Sequence, residues 1–417
     1  MIDKETLKRI VKLQREEISL FDPGIDREDL LSMDLDVPFA IILSGIRRCG
    51  KSTLLLQLMK KIKGFYYFNF EDSRAGDFDI GDFEKLDQIF HEEYGGQKYY
   101  FFDEIQNIAK WEAFVRRLVD LKKHVIITGS NASLLSKEMG AKLTGRHLNH
   151  ELFPFSFREF LKIGKENRSI GSFGEYLSNG GFAEYLKLKR PDILQELLRD
   201  ILARDIITRY KLRNQKILKD LAVYLLTNIG KQFTYNSLKK NFKLGSVNTA
   251  IAFISYFEDT YMLFTIPRFS YSMKKMLVSP KKVYAIDNGF AAKNSASFFD
   301  DVGRLLENLV FINLRKKNKD IFYFQEENEC DFLIREGIKI VRAMQVCYEL
   351  NEGSRDREIK GLVDAMDRFK LKEGLILTYN QEDKFVIKDK IIKAIPVWKW
   401  LLKNREAMKK QNDLLVE

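Results

Sequence analysis

Three cysteines in 417 residues, Cys49, Cys330 and Cys347, are too few and too scattered for a disulfide framework or a four-ligand zinc site, which points to a reducing cytosol. Histidine is nearly as scarce. Of His91, His124, His147 and His150, only the last two are close, and on a strand an i, i+3 pair points to opposite faces, which removes a metal-ligand pair. No Ser-His-Asp or Cys-His pattern of a nucleophilic hydrolase stands out. The start, Met1-Ile2-Asp3-Lys4-Glu5, is charged at once and shows no apolar leader, and no run approaches the roughly 18 apolar residues of a membrane helix. A cytoplasmic protein that makes no membrane contact is expected. Repeats and low-complexity segments are missing as well.

What the chain does have is apolar surface: 45% of it is hydrophobic, with 32 Phe and 17 Tyr. That is enough for more than one core, and at roughly 150 residues per domain the length suggests two or three domains. The net charge of +11 is a mild excess that admits a nucleic-acid partner without requiring one. Residues 1–36 read as a helical lead (Leu7, Ile10, Val11, Leu13) that turns at Asp22-Pro23-Gly24. From 37 to 163, apolar runs at Phe39–Leu43, Phe65–Phe70, Tyr99–Phe102, Val125–Thr128 and His147–Leu152 alternate with helices, the α/β pattern of a mostly parallel sheet. Residues 164–275 are densely helical. Within them Ile217–Leu226, Ser237–Phe242 and Val247–Met262, then a β run Leu263–Ile266, follow the order of a winged helix-turn-helix. Residues 276–405 read as a third, α/β unit, with strands at Val283–Ile286, near 321–325, 331–334 and 338–349, and at Leu375–Thr378, and helices at Leu305–Leu314 and about 356–369; 406–417 read as a tail.

The most specific motif is Gly45-Ile46-Arg47-Arg48-Cys49-Gly50-Lys51-Ser52, which fits G-x-x-x-x-G-K-[ST], follows a strand and opens a helix at Thr53. Glycines let backbone N–H groups wrap phosphates, the helix N-terminus adds partial positive charge, Lys51 reaches the β/γ-phosphates, and Ser52 ligates Mg²⁺. A P-loop NTPase that binds ATP with Mg²⁺ is the expectation. Tyr99-Tyr100-Phe101-Phe102-Asp103-Glu104 supplies the second half-site: Asp103 to hold Mg²⁺ through water, and Glu104 to polarise the attacking water. Beyond the strand Val125–Thr128, Ser130 or Asn131 is placed to sense the γ-phosphate. Arg146, after Thr144-Gly145, is the candidate to reach a γ-phosphate in its own or a neighbouring subunit.

These residues, with Phe102-Asp-Glu-Ile-Gln-Asn, Ile127-Thr-Gly-Ser-Asn and Leu152-Phe-Pro-Phe-Ser-Phe-Arg-Glu-Phe, resemble the prokaryotic AAA+-superfamily ATPases that carry a C-terminal domain of unknown function. The resemblance extends to Gly180-Gly181-Phe182, Arg204-Asp205-Ile206, Tyr284-Ala-Ile-Asp287-Asn288-Gly289 and Gly303-Arg304-Leu305-Leu306-Glu307-Asn308. It implies a nucleotide-binding core, a winged-helix segment and an end like a restriction endonuclease. Nucleases of that fold hold Mg²⁺ with a helix glutamate, a strand aspartate and a Glu/Gln-x-Lys on the next strand. Here Glu307, Asp331 and Gln345 match, but Cys347 stands at the lysine position. Glu349 shares a strand face with Gln345; Lys339 shares it about 20 Å away; Lys360, on the following helix, is the remaining substitute. A degenerate site without nuclease activity is expected.

The recognition-helix segment 246–262 contains no Lys or Arg and carries Glu258 and Asp259, a poor surface for phosphates. Its apolar stripe is Val247, Ala250, Ile251, Ile254, Phe257 and Met262, while Lys239, Lys240 and Lys243 lie upstream. The winged helix therefore reads either as a protein-docking element or as a contact for double-stranded DNA with little sequence preference. Two functions fit: an ATPase whose hydrolysis moves the winged-helix and C-terminal domains, or a nucleotide-gated switch with negligible turnover that regulates a partner or nucleic acid through residues 215–400. Either admits an oligomer.

Overall fold

The computed structural model describes residues 1–402 apart from 32, 130–142, 144, 297–300 and 319. The candidate sensor residues Ser130 and Asn131 lie outside the described residues. By spatial contact the chain divides into two units, Met1–Phe153 with Asp259–Tyr261, and Pro154–Glu258 with the chain from Met262 onward.

The first unit contains helices α1 (Lys4–Leu20), α2 (Lys51–Met59), α3 (Asp82–Tyr94) and α4 (Trp111–Asp120). Its strands are β1 (Ala40–Ser44), β2 (Phe65–Asn69), β3 (Tyr99–Asp103), β4 (His124–Gly129) and β5 (His147–Glu151), parallel and in the order β2-β3-β4-β1-β5. Parallel strands need helical crossovers, and helices over both faces bury the central strands; β1 is buried at every position, which is why its sequence runs apolar rather than alternating, while the edge strand β5 has no fully buried position. Helix α1 belongs to this core. Its Leu7, Ile10 and Val11, at helical spacing, are buried among Tyr66, Phe68 and Phe90, each burial contributing about 1.5–3 kcal/mol, more than helix propensity does. The Asp3 carboxylate caps it by accepting from the Thr6 N–H at 2.9 Å.

The second unit begins with helices α5 (Phe157–Gly164), α6 (Ile170–Asn179), α7 (Ala183–Leu188) and α8 (Asp192–Asp200), the last running on as a π-helix over Ile201–Thr208. Next come α9 (Gln215–Thr227), β6 (Gln232–Phe233), α10 (Tyr235–Asn241), α11 (Val247–Asp259), β7 (Leu263–Pro267), α12 (Met273–Val278) and β8 (Lys281–Ala285). Here β6, β8 and β7 form an antiparallel sheet in that order. The strand near 283–286, read from sequence with the C-terminal unit, thus pairs with β7. On α11 the buried face is Ala250, Phe253, Ile254 and Phe257; Ile251, expected in the stripe, is 42% exposed.

The remainder is α13 (Asn288–Asn294), α14 (Val302–Lys317), β9 (Ile321–Gln325), β10 (Glu329–Glu336), β11 (Lys339–Cys347), α15 (Glu352–Phe369), β12 (Glu373–Thr378), β13 (Asp383–Ile387), β14 (Lys390–Pro396) and α16 (Val397–Leu402). Its mixed sheet has the order β13-β14-β12-β11-β10-β9, antiparallel from β9 to β11 and parallel where α15 carries the chain from β11 to β12. Sequence reading missed β13 and β14, where Lys390 takes a buried position and the apolar Val386, Ile391 and Ile395 take outward ones, so residue type does not follow the in/out alternation. No helix among the described residues is long and apolar enough to cross a membrane.

Candidate functional site

The carboxyl ends of β1, β3 and β4 converge on one site. The loop after β1 turns through Gly45 at φ +152, Arg48 at +63 and Gly50 at +98. Gly45 is required there, because a Cβ would lie 2.2 Å from the Leu152 carbonyl oxygen, a backbone contact that cannot yield. Cys49 is buried beneath the loop, where burial raises its thiol pKa. Lys51, 4% exposed, donates to the carbonyls of Gly45 at 3.1 Å and Ile46 at 3.2 Å, so its ammonium rests inside the loop. Ser52 is exposed and Thr53 half-buried on the first turn of α2. Arg47 pairs with Glu71 at 3.5 Å.

Because β4 lies between β1 and β3, the end of β3 faces the loop across the end of β4. Asp103 is buried, and its carboxylate is pushed up to about 6 by burial first and the Glu104 charge second, against hydrogen bonds from Thr128 and Ser52 and the pull of Lys51. Ser52, Asp103 and Lys51 are therefore brought together. Glu104, half-buried, takes a left-handed backbone conformation, φ 51. Its N–H donates to the Thr128 hydroxyl at 2.9 Å, while that hydroxyl donates to Asp103 and the Gln106 amide donates to the Glu104 carboxylate. Thr128 is the polar residue sequence reading passed over in favour of its neighbours Ser130 and Asn131.

Two further residues had no sequence signal. The buried Arg27 guanidinium donates to the Cys49 carbonyl at 2.8 Å and to the Phe153 carbonyl at 2.7 Å, pinning the loop from the amino-terminal segment. Gln57 on α2 holds that segment, donating to Pro23 O at 3.0 Å and Ile25 O at 2.7 Å and accepting from the Arg27 N–H at 3.1 Å. Arg146 is not part of the assembly. It precedes β5, its carbonyl accepting from Ala40 N at 3.1 Å, which puts it at the amino end of the parallel sheet, opposite the phosphate loop. Its exposed guanidinium pairs with Asp120, so a phosphate in its own chain is out of reach.

The carboxylates of the C-terminal part do assemble. Asp331 on β10 lies beside Gln345 on β11: the Asp331 N–H donates to Gln345 Oε1 at 3.1 Å, and Asp331 Oδ2 accepts from the Val346 N–H at 2.9 Å. Glu307 on α14 accepts from the Tyr284 hydroxyl at 2.7 Å. Neither Lys360 nor Glu349 joins them; both are exposed. The lysine present is Lys282 of β8.

Family comparison agrees with this geometry. An AAA domain matches residues 38–161, and two domains of unknown function, DUF8612 and DUF4143, match 170–298 and 302–400. An uncharacterized protein of Methanocaldococcus jannaschii is 35% identical, covering 96% of each chain. The chain belongs to the AAA+ P-loop ATPases that carry C-terminal domains of unknown function. This AAA+ protein is also 27% identical to an uncharacterized protein of Haemophilus influenzae, over 91% of this chain and 98% of that one. A chain from the structure of Drosophila ORC bound to AT-rich DNA and Cdc6 aligns with 69% of the AAA+ protein and 92% of its own length at 12% identity, with a TM-score of 0.21, too low to carry weight.

Proposed function

We propose that the protein binds ATP with Mg²⁺ at Gly45–Thr53 and hydrolyses it. One observation carries this reading: a buried lysine, a serine hydroxyl and a buried carboxylate meet beneath a phosphate loop, with a second carboxylate, Glu104, at the same strand end. Lys51 would exchange two neutral carbonyls for phosphate oxygens. Ser52 and Asp103 fit a cation, since a hydroxyl and a buried carboxylate meet there as oxygen donors; they would hold Mg²⁺, which when bound neutralises phosphate charge. Glu104 would polarise the attacking water, with Thr128 fixing its backbone and Asp103. Arg146 would serve only in trans, on the phosphate of another subunit.

In this reading 1–36 is the helical lead, 37–163 the ATPase core, 164–275 a helical and winged-helix domain, 276–405 a restriction-endonuclease-like domain and 406–417 the tail. Hydrolysis drives movement of the domains after the core. Exposed Lys239, Lys240 and Lys243 suit double-stranded DNA with little sequence preference, in the cytoplasm; replacing all three with alanine should reduce the slope of log affinity on log salt by up to about 2.7. The hold of Gln106 on Glu104 favours a second reading, a nucleotide-gated switch on a protein partner with negligible turnover. Steady-state phosphate release with and without DNA separates the two: turnover supports hydrolysis, and tight binding without turnover supports the switch.

A further inference from the structure

The C-terminal carboxylates surround an ammonium. Lys282 Nζ lies 3.0 Å from Glu307 Oε1, 2.9 Å from Asp331 Oδ1 and 2.6 Å from Glu329 Oε1, and its side chain is 3% exposed. One point in space is thus within hydrogen-bonding distance of an oxygen from each of three carboxylates. That is an oxygen donor set of the kind that takes Ca²⁺, Mn²⁺ or Mg²⁺, a little wider than the roughly 2.3–2.6 Å of a bound Ca²⁺.

The other polar contacts are also satisfied from within. Tyr284 donates to Glu307 at 2.7 Å, Gln232 donates to Glu329 Oε2 at 2.9 Å, and Gln345 donates its amide to Glu358 at 2.5 Å. The lysine is flanked by Tyr323, whose ring centroid is 5.8 Å from Nζ.

An ammonium already fills the point the three carboxylates share, so the metal that a restriction-endonuclease-like end implies does not fit these residues. We propose that Lys282 is the resident cation of the cluster, its ammonium standing where a nuclease of that fold holds a divalent metal, so that the C-terminal part takes up no catalytic metal and cuts no phosphodiester. The same contacts fasten β8, and with it its partners β6 and β7, to α14 and the mixed sheet. A tethered ammonium is present at every moment, and Mg²⁺ gives up its water reluctantly, so a free cation competes poorly for the place. This goes beyond the ATPase reading and is independent of it, since no residue of the phosphate loop takes part.

The test uses the full chain. The phosphate-loop site is first disabled by Asp103→Asn, so that cation uptake there is not mistaken for uptake at Lys282. Asp103→Asn and Asp103→Asn/Lys282→Ala are unfolded thermally with and without about 1 mM Mn²⁺, Mn²⁺ uptake is measured by calorimetry, and plasmid DNA is incubated with wild type and Mg²⁺ or Mn²⁺. Asp103→Asn should take up no Mn²⁺ and shift its midpoint by less than about 1 °C, and wild type should leave the plasmid intact. Adding Lys282→Ala should lower the midpoint without metal and let it recover by about 4 °C or more with Mn²⁺, as three carboxylates close on the vacated point. Mn²⁺ uptake by Asp103→Asn, plasmid cleavage by wild type, or a folded double variant that gains no Mn²⁺ affinity would each overturn the proposal. Should the double variant not fold, Asp103→Asn and wild type still decide: metal uptake by the first or cleavage by the second overturns the proposal, and inertness to both supports it.

Discussion

Lys51 and Lys282 are equally hidden, at 4% and 3% exposure, yet they keep different company. Lys51 rests on two neutral backbone carbonyls of its own loop; Lys282 rests on three carboxylates. An ammonium on carbonyls gains by moving to a phosphate, because a charged partner replaces a neutral one. An ammonium among carboxylates would leave uncompensated buried charge behind. Residue type and burial alone do not distinguish a lysine held ready for a ligand from one already committed; the charge of the atoms it touches does.

The comparison breaks most readily at Lys51. Lys51→Ala should abolish ATP binding, a loss of at least about 10³-fold in equilibrium binding of a fluorescent analogue, while costing only about 1–2 kcal/mol of stability; wild-type affinity would remove the site. Lys282→Ala should invert that pattern, costing about 3–5 kcal/mol in denaturant unfolding and leaving nucleotide affinity unchanged. Equal stability losses in the two variants would end the contrast.

Two smaller effects sharpen it. Glu104→Gln should retain nucleotide but lower phosphate release by roughly 10²-fold, since it keeps the shape and removes the base; unchanged turnover would move the base elsewhere. Asp287 is a buried carboxylate held by the N–H groups of Gly181 at 2.7 Å and Phe290 at 2.9 Å rather than by a lysine inside a cluster. Burial pushes its acid up to about 6, against those N–H groups and the weaker pull of Lys316. Its folded pKa exceeds the ordinary 3.8, so its contribution to stability is full below pH 4 and is lost as pH rises through 6, by about 2 kcal/mol. The stability difference between wild type and Asp287→Asn should fall by that amount from pH 4 to 7, and a flat difference would show that burial does not govern this acid.

The five strands of the first unit and the phosphate loop were legible because each is local: a short apolar run, or eight consecutive residues with glycines where the backbone needs them. Asp103 and Glu104 were legible for the same reason, as acids ending a strand. Arg27, Gln57 and Lys282 were not, since each acts across a long separation on backbone carbonyls or on acids of another element, with no fixed spacing to read. Lys282 is 49 residues from Asp331, and sequence reading looked for its substitute on the nearer helix, at Lys360. Arg146 looked well placed in the motif order, but that order does not say which end of a parallel strand a residue borders. Thr128 was hidden by its own strand, as one more β-branched residue in an apolar run.

The hold of Arg27 on the phosphate loop bears on where the nucleotide-binding unit begins. The AAA match starts at residue 38, and a protein shortened to that point would look complete by motif. It would lack the guanidinium on the Cys49 carbonyl and the segment on which Gln57 spends its amide, leaving a buried carbonyl oxygen of the loop and a buried amide of α2 without those partners. The segment from Pro23 to Arg27, ahead of the glycines, is as much a part of this loop's support as the glycines are of its turn.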